Sequence, residues 1–419
     1  MIETKFKDST YGLIPHDWKE CRFENVLQTF SSGATPYRGI PSNFQGTIRW
    51  ITSGELNYNH IYDTLEHISE DALKNTHLRL HPQGTFLMAI TGLEAAGTRG
   101  RCAFVGSPSA TNQSCLAINS TDKMIVEYLF WFYCYWSNFL AFRYSQGSKQ
   151  QSFTANIVRN LPIYLPPTLD EQQRIAEALS DVDALISSLG KMIEKKRNIK
   201  LATMQQLLTG KQRLPGFTEP WVNKKLEAIG STYNGLSGKT ANDFGRGCAK
   251  YVTFLNVLNN PIIDCKAFED VNVGIHEKQN KVQKGDLLFN TSSETPEEVG
   301  ICATLNEDVE NLYLNSFCFG FRVNEGYSPV FLSYFFRGKP GRIFMTTLAQ
   351  GSTRYNLSKE NMLKSSIFIP SSQEEQTAIA NILTDMDNEI AKLEIKKSKY
   401  EAIKQGMMQQ LLTGKIRLV

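Results

Sequence analysis

The sequence Met-Gln-Gln-Leu-Leu-Thr-Gly-Lys occupies residues 204–211 and recurs letter for letter at residues 408–415. The flanking residues repeat at the same offset of 204, because residues 147–214 and 351–418 align without a gap and are identical at 26 of 68 positions. A match of this length at one offset indicates a single unit that is present twice. Each unit has a variable segment of roughly 150 residues followed by a near-constant segment of about 40 residues.

The near-constant segment carries the apolar spacing of a long helix that packs against another helix. In both copies, apolar residues recur at alternating steps of four and three, which is the a/d pattern of a coiled-coil seam. The residues expected in this seam are Ile175, Leu179, Val182, Ile186 and Leu189 in the first copy, and Ile379, Leu383, Met386, Ile390 and Leu393 in the second. Pro167 and Pro370 precede the two segments, and Gly210 and Gly414 lie where each helix is expected to stop.

Lysines interrupt the seam at Lys196 and Lys200 in the first copy, and at Lys397 and Lys404 in the second. These charges can face DNA or a partner, or can extend their ammonium groups into the solvent, which is the interpretation that we favour. Neither helix is long enough to hold the molecule alone, so we expect the two copies to pack against each other in antiparallel orientation. A helix of about 40 residues is about 60 Å long. It can space two DNA-reading domains, or it can simply join two domains of another kind.

The repeat therefore predicts an α+β protein in which two globular domains are separated by two long helices that pack as an antiparallel coiled coil, with a pseudo-two-fold internal repeat. The predicted domains are residues 1–168, a globular domain called here the first head; 169–210, the first helix; 211–372, the second head; and 373–419, the second helix.

Composition places few limits on function. The net charge of the 419-residue chain is +3, which neither requires nor excludes a nucleic-acid partner, because a local basic face is what DNA binding needs. The eight cysteines form no Cys-x-x-Cys pair, which is typical of core thiols in a reducing compartment, and we expect a cytoplasmic protein without a metal site. The polar residues 1–12 lack the apolar stretch of a signal peptide. We expect the apolar residues 125–142 to form a buried helix rather than a membrane span.

Motifs of catalysis are missing from the sequence. The only Pro-Pro pair, at residues 166–167, has neither the polar residue before it nor the aromatic residue after it that an adenine methyltransferase motif requires. The sequence Gly-Leu-Ser-Gly-Lys-Thr at residues 235–240 has two residues where a phosphate-binding loop needs four. Together with the repeat, this favours a recognition protein over an enzyme with one active centre.

The sequence resembles a known family along essentially its whole length. The order of globular segment, helix, globular segment and helix, with Leu-Leu-Thr-Gly-Lys closing each helix, is similar to the specificity subunits of Type I restriction-modification systems. Residues 32–36 (Ser-Gly-Ala-Thr-Pro) and 48–56 (Ile-Arg-Trp-Ile-Thr-Ser-Gly-Glu-Leu) resemble the opening of a target-recognition domain. Residues 234–240 and 284–289 resemble a different subtype of the same domain.

The resemblance implies a non-catalytic subunit that reads DNA sequence. Each head would read one half of an asymmetric, bipartite target in double-stranded DNA, and the helices would fix the length of the unread spacer. Two adenine-methyltransferase (modification) subunits would dock on the helices, and restriction subunits would join them. The chain itself would hold no cofactor, since S-adenosylmethionine, ATP and Mg²⁺ are expected on the partner subunits. No membrane partner is implied.

Bases and phosphates are contacted by polar and cationic side chains on exposed loops, so loop residues of both heads are the candidates for DNA binding. They are Ser32, Gly33, Thr35, Arg38, Arg49, Arg99, Arg101, Lys149 and Gln150 in the first head, and Ser237, Lys239, Thr240, Arg246, Ser292, Ser293, Arg354 and Tyr355 in the second. The candidates for partner docking lie in or beside the repeated block, because identical surfaces would bind two identical partners. They are Gln205, Gln206, Lys211, Gln409, Gln410 and Lys415. Helix packing by the leucines of this block is an equally good explanation of its identity.

Two other functions are compatible with parts of the sequence. A coiled-coil scaffold could join two protein-binding modules without contacting DNA. A fused methyltransferase or nuclease would carry its own active site, and the missing cofactor and catalytic motifs count against it.

Overall fold

The computed structural model describes residues 5–419, so residues 1–4, where the first predicted domain and the polar N-terminal stretch begin, lie outside the described residues. The described chain divides into two compact units. The first contains residues up to Leu189 together with Lys396–Val419, and the second contains Gly190–Ile395. Each unit therefore holds one head and parts of both long helices. The boundaries of the four predicted domains stay a prediction.

Twelve strands, three α-helices and three short 3-10 helices make up the first head as far as it is described. The strands are β1 (Phe6–Ser9), β2 (Gly12–Pro15), β3 (Lys19–Arg22), β4 (Leu27–Ser32), β5 (Ile48–Ile51), β6 (His60–Ile61), β7 (His67–Ile68), β8 (Phe86–Ala89), β9 (Cys102–Val105), β10 (Ala110–Thr111), β11 (Cys115–Ser120) and β12 (Pro162–Leu165). The helices are α1 (Glu70–Asn75), α2 (Val126–Tyr144) and α3 (Ala155–Arg159).

The first head is built on a five-stranded sheet in the order β4-β11-β8-β9-β6, beside a three-stranded sheet in the order β10-β5-β7. Every residue of β8 and β9 is buried, because α2 covers one face of the large sheet and a second apolar cluster, which includes Ile51 of β5, packs on the other face. The apolar residues 125–142 thus belong to a buried helix of the core, as expected. Among residues 5–419, no helix has the length and apolar character needed to cross a membrane.

The long helix α4 (Leu169–Leu207) follows the first head, and the second head then contains twelve further strands and five shorter helices. The strands are β13 (Trp221–Lys225), β14 (Gly230–Asn234), β15 (Phe244–Val252), β16 (Phe268–Val271), β17 (Leu287–Asn290), β18 (Ser292–Ser293), β19 (Cys302–Thr304), β20 (Leu312–Leu314), β21 (Cys318–Val323), β22 (Ala349–Gln350), β23 (Tyr355–Leu357) and β24 (Ser366–Pro370). The helices are α5 (Leu226–Ile229), α6 (Phe254–Asn259), α7 (Pro329–Arg337), α8 (Lys339–Leu348) and α9 (Lys359–Lys364).

The second head repeats the plan of the first. A sheet in the order β14-β21-β17-β19 corresponds to the large sheet, and a sheet in the order β16-β15-β20 corresponds to the smaller one. In each smaller sheet the central strand pairs in parallel with a short edge strand: β5 with β10, and β15 with β20. In the chain, each of these edge strands comes directly before a strand of the large sheet, β11 or β21. A third sheet, β18-β23-β22, pairs the loop after β17 with a hairpin before α9.

The second long helix, α10 (Gln373–Leu411), has the same 39-residue length as α4, which confirms the two long helices expected from the repeat. Gly210 and Gly414 follow the two helix ends with φ of 70° and 67°, the left-handed conformation that stops a helix most easily at glycine. A Cβ atom at Gly414 would lie 2.3 Å from the Pro15 side chain, so glycine is also required here because the backbone passes close to Pro15.

Within each unit the two long helices run antiparallel, as ion pairs at matching positions show. In the first unit, Glu171 near the start of α4 pairs with Arg417, while Asp183 further along pairs with Lys404. In the second unit, Glu375 pairs with Arg213 and Asp387 pairs with Lys200, which are the same positions shifted by 204 residues.

Two of the four seam lysines, Lys200 and Lys404, do not extend into the solvent as we favoured. Lys200 and Lys404 keep only 19% and 23% of their side-chain surface exposed, and each pairs with an aspartate of the opposite helix instead of reaching into the solvent. Each ammonium group also lies over an aromatic ring of a head, at 5.5 Å from Tyr334 for Lys200 and 5.1 Å from Trp131 for Lys404. A carboxylate and a ring face together stabilise a half-buried cation, which is why the seam tolerates it.

Candidate nucleic-acid interface

Four loops lie side by side in each head, and together they define the surface that we call the loop strip. In the first head they are loop A (residues 33–47), loop B (112–114), loop C (90–101) and loop D (146–152). In the second head they are loop A (235–243), loop B (315–317), loop C (291–301) and loop D (350–356). The same kinds of hydrogen bonds join them in both heads.

Loop B is the centre of the strip, because loop A bonds to the strand residue just before loop B and loop C bonds to the last residue of loop B. In the first head, Gly33 is in such close contact with the strand before loop B that a Cβ atom would lie 1.7 Å from the Thr111 carbonyl oxygen. In the second head, a Cβ atom at Gly235 would lie 2.1 Å from the Asn315 carbonyl oxygen. These glycines let loops A and B approach each other, so glycine is required there by contact rather than by backbone conformation.

Loop C carries the strip from loop B to loop D. The Ile90 amide donates to the Ser114 carbonyl oxygen at 2.9 Å, and the Thr291 amide donates to the Phe317 carbonyl oxygen at 3.0 Å. Loop C also bonds to the residue that follows loop D, because the Phe153 amide donates to the Ile90 carbonyl oxygen at 2.8 Å. The Leu357 amide donates to Thr291 at 2.9 Å in the same way. One backbone frame thus carries two different sets of side chains.

The structure places nearly all predicted DNA-binding residues in or next to these strips. Ser32 ends β4 at the edge of loop A, and Arg49 and Arg246 lie on the strands β5 and β15 that follow loop A. The side chains differ in their availability, however, because several of them already bond within the head. Their role in DNA binding stays a prediction.

Several predicted cations are engaged in internal contacts. Arg38 makes two 2.8 Å hydrogen bonds to Glu66, and its guanidinium lies 4.6 Å from the Phe44 ring centre. The hydrogen bond from Arg38 lowers the pKa of Glu66, which keeps this pair ionised. Arg49 lies 3.4 Å from Asp63.

Arg99 and Arg101 hold loop C of the first head in shape. Arg99 donates to the Leu93 and Glu94 carbonyl oxygens at 2.8 and 3.0 Å, and Arg101 donates to the Gly97 carbonyl oxygen at 2.5 Å. Both are therefore positioned to order the loop, whatever else they contact.

Lys239 of the second head is the clearest case of an internal role. Only 4% of its side-chain surface is exposed, and its ammonium group bonds to Glu277 and, at 2.6 Å, to the Asn272 carbonyl oxygen. The hydrogen bond from Lys239 lowers the pKa of Glu277. Beside it, Thr240 donates its amide and hydroxyl to Asp243 at 2.9 Å each, and the amide bond is the main cause that lowers the pKa of Asp243.

Other predicted residues present free polar groups on the strip. Lys149, Gln150 and Arg246 are exposed, and their side chains make no hydrogen bond within residues 5–419. Arg354 is exposed and donates one bond to the Ser292 hydroxyl at 3.1 Å, which leaves most of its guanidinium free. These three cations and the amide of Gln150 are the groups best placed to meet phosphates or base edges.

The remaining predicted residues orient their neighbours. Thr35 donates to the Gln113 side chain at 2.5 Å, Ser293 donates to Glu298 at 2.8 Å, and the Ser237 amide donates to Gln279 at 3.2 Å. Tyr355 is half-buried opposite Ser293 in the pairing of β18 with β23.

Loop B is the part of the strip that contains none of the predicted DNA-binding residues. The Asn112 and Asn315 side chains each accept the amide two residues on, from Ser114 at 3.0 Å and from Phe317 at 2.9 Å. The available signal was Asn-x-x-Cys, which occurs at residues 112–115 and 315–318. Asparagine closes a turn of this kind through its own side chain, so the repeated spacing marks equivalent turns.

The residues predicted for helix packing and the glutamines predicted for docking lie on α4 and α10, whereas Lys211 and Lys415 follow the helix ends. The docking role stays a prediction. Of the ten seam residues, six are buried (Ile175, Leu179, Leu189, Ile379, Leu383 and Ile390) and the others are half-buried. In the repeated block, Leu207, Leu208, Leu411 and Leu412 are buried, whereas Gln205, Gln206, Lys211, Gln409 and Lys415 are exposed and Gln410 is half-buried. The block therefore combines packing leucines with a polar outer face. No cluster of metal-ligating side chains occurs within the described part of the chain.

Comparison with known proteins points to one family. The model of the Type I restriction modification DNA specificity domain matches residues 15–200 and again residues 218–405. The MjaIX specificity subunit of Methanocaldococcus jannaschii, a Type I restriction enzyme subunit, is 32% identical over 204 residues, which is 48% of this chain and 45% of that protein. The MjaVIII specificity subunit of the same organism is 24% identical over 99% of this chain and 97% of that protein.

Solved structures share the fold at low sequence identity. The S subunit of a Type I restriction-modification system from M. genitalium has a TM-score of 0.59 at 13% identity, over 97% of this chain and 98% of that one. A chain from a structure that describes complex assembly and conformational transition of the type I R-M system has a TM-score of 0.56 at 15% identity, over 96% and 99% of the two chains. With the two family matches covering both repeats, this protein belongs to the family of Type I restriction-modification DNA specificity proteins.

Proposed function

We propose that this chain reads a split DNA target for a Type I restriction-modification enzyme, with one half of the target read by the loop strip of each head. The observation that carries the proposal is the repeated strip itself: one hydrogen-bonded frame of four loops presents different exposed side chains in the two heads. Loop D shows this directly. Gln-Gly-Ser opens it in both heads, and then Lys149-Gln150 in the first head correspond to Thr353-Arg354 in the second. Two unlike strips would read two unlike half-targets.

The helices would serve two partner subunits of one kind. The outer face of the repeated block offers the same polar groups twice, with Gln205, Gln206 and Lys211 in one copy, and Gln409, Gln410 and Lys415 in the other. Identical surfaces suit two identical partners, which we infer to be the modification subunits. Restriction subunits would join through them.

The chemistry would then belong to the partner chains. S-adenosylmethionine would be held by the modification subunits, and ATP and Mg²⁺ by the restriction subunits. This chain would contribute the choice of sequence and the distance between the two methylated adenines. Its relatives are named specificity subunits, which supports this division of labour.

The direct test is co-expression with its modification subunit, followed by mapping of N6-methyladenine across the host genome. We expect one split motif with two unlike halves and a fixed gap. Two identical halves would contradict the assignment of one half to each unlike strip. No methylation from a complex shown to be folded and assembled would favour a scaffold, whereas methylation or cleavage by the purified chain alone would favour a fused enzyme.

A further inference from the structure

Loop B of the second head carries an exposed aromatic side chain at the centre of the loop strip. Phe317 has 61% of its surface exposed, although phenylalanine is among the residues most often found inside proteins. The other large apolar residues exposed in the second head, which are Leu255, Ile275, Ile343 and Phe368, all lie outside the four loops. The ring at this position is therefore free to contact a partner of the chain.

The backbone around Phe317 is fixed on both sides. Its amide donates to the Asn315 side chain at 2.9 Å, and its carbonyl oxygen accepts the Thr291 amide at 3.0 Å. Asn315 is itself 5% exposed and donates its side-chain amide to the Val252 carbonyl oxygen at 3.0 Å. The turn is thus anchored in the core, and binding would immobilise little more than the ring torsions.

The first head has polar groups at the same place. Ser114 occupies the position of Phe317, with the same bonds to its own asparagine and to Ile90. The exposed Gln113 next to it accepts a hydrogen bond from Thr35. The two turns share their backbone and differ in chemistry, so the difference concerns what the strip meets rather than how it folds.

This reasoning rests on the proposed function. On the major-groove edge of the four base pairs, the only methyl group is the C5-methyl of thymine, and phenylalanine is one of the side chains that contact it. We propose that Phe317 is a specificity-determining residue of the second head, and that its ring contacts the 5-methyl group of a thymine in the half-target that this head reads.

The test compares thymine with uracil, which lacks only that methyl group. Each thymine of the half-target, on either strand, is replaced singly by deoxyuridine, and the affinity of the duplex for the complex of full-length chain and modification subunit is measured. For the wild-type complex we expect about a fourfold loss at one position, the effect of one methyl-sized apolar group at about 0.8 kcal/mol. In Phe317→Ala, thymine and uracil should bind equally well at that position.

Two further variants make the result specific. Phe317→Leu keeps an apolar side chain and should retain part of the preference for thymine. Leu255→Ala removes an apolar side chain of the same head that is 63% exposed and lies outside the strip, and it should leave the preference unchanged. Because Phe317 is exposed, its alanine variant should keep the wild-type melting temperature.

The outcomes separate this assignment from the proposed function. A wild-type complex that binds its split target tightly but accepts uracil at every position overturns the role of Phe317 alone. So does a Phe317→Ala complex that still prefers thymine by the wild-type factor. A folded, assembled complex that binds no split target overturns the proposed function as a whole.

Discussion

Lys149 lies at the exposed turn of loop D in the first head, where its ammonium group has no partner within residues 5–419. If it neutralises a phosphate of the target, Lys149→Ala should weaken binding about equally on all DNA sequences. It should also reduce the slope of log K against log salt concentration by about one, because one fewer counterion is released. Binding of the assembled complex to duplexes at several salt concentrations checks this. Lys19→Ala, on the exposed strand β3, is the matched control and should leave the slope unchanged.

Asp17 gives a pH dependence to the ion pairs of Arg417. Its carboxylate accepts two hydrogen bonds of 2.9 Å from Arg417, which also pairs with the buried Glu171. The hydrogen bond from Arg417 is the main cause that lowers the pKa of Asp17. Because this pKa is lower in the folded than in the unfolded chain, the contribution to stability is complete above the unfolded value near 4 and is lost as the pH falls through the folded value.

Asp17→Asn should therefore lower the melting temperature slightly at pH 7 and flatten its dependence on pH below about 4. The loss at pH 7 should be less than about 1 kcal/mol, since half of the Asp17 side chain is exposed and the pair is screened by solvent. Melting curves between pH 3 and 7 measure both effects. Asp122→Asn removes an exposed carboxylate without this partner, and a pH profile identical to that of Asp17→Asn would contradict the assignment.

Residue roles were the hardest part of the site to predict from the sequence. Lys239 and Lys149 both appeared as loop lysines, yet Lys239 is buried against Glu277, which lies 38 residues further along the chain. Phe317 was not selected at all, because an aromatic residue before a strand resembles a core residue. The availability of a side chain depends on partners that local sequence does not reveal.

The two long helices were predictable because their signal is local and periodic. A step of four and three fixes the buried face of a helix without reference to the rest of the chain. The contacts of the lysines in that face were not predictable in the same way. The ammonium group of Lys200 is stabilised by Asp387, which lies 187 residues away in the chain, and by the Tyr334 ring. The heptad pattern specifies neither contact.

The helix also predicts how the gap in the target is set. An insertion of about four residues before Thr209 should lengthen the unread spacer by roughly one or two base pairs, at 1.5 Å per residue and 3.4 Å per base pair. Methylation mapping of the variant enzyme measures the spacer directly. The same insertion after Gly326, at a turn in the second head, is the control and should leave the spacer unchanged. An active enzyme with this insertion and an unchanged spacer would contradict the idea that the helical segment sets the spacer length.

At the scale of the whole molecule, the repeat implies exchangeable heads. Replacing residues 215–365 with the corresponding segment of another family member should change one half of the methylated motif and leave the other half intact. The reason is that each loop strip is closed by hydrogen bonds within its own head. Sequencing of the modified sites measures both halves at once. A change in both halves would show that the heads do not read independently.

The ion pairs of Arg213 and Arg417 also set an order of events during synthesis on the ribosome. Glu375 pairs with Arg213, which is synthesised 162 residues earlier, so this ion pair can form as soon as Glu375 leaves the ribosome. Asp17 and Glu171 must wait for Arg417, which for Asp17 is 400 residues later, or about 20–80 s at 5–20 residues per second. Until then the first turn of α4, which follows the first head, carries the carboxylate of Glu171, whose native site is buried and whose partner arginine has not yet been synthesised. We therefore expect the head that is translated first to be the one that is completed last.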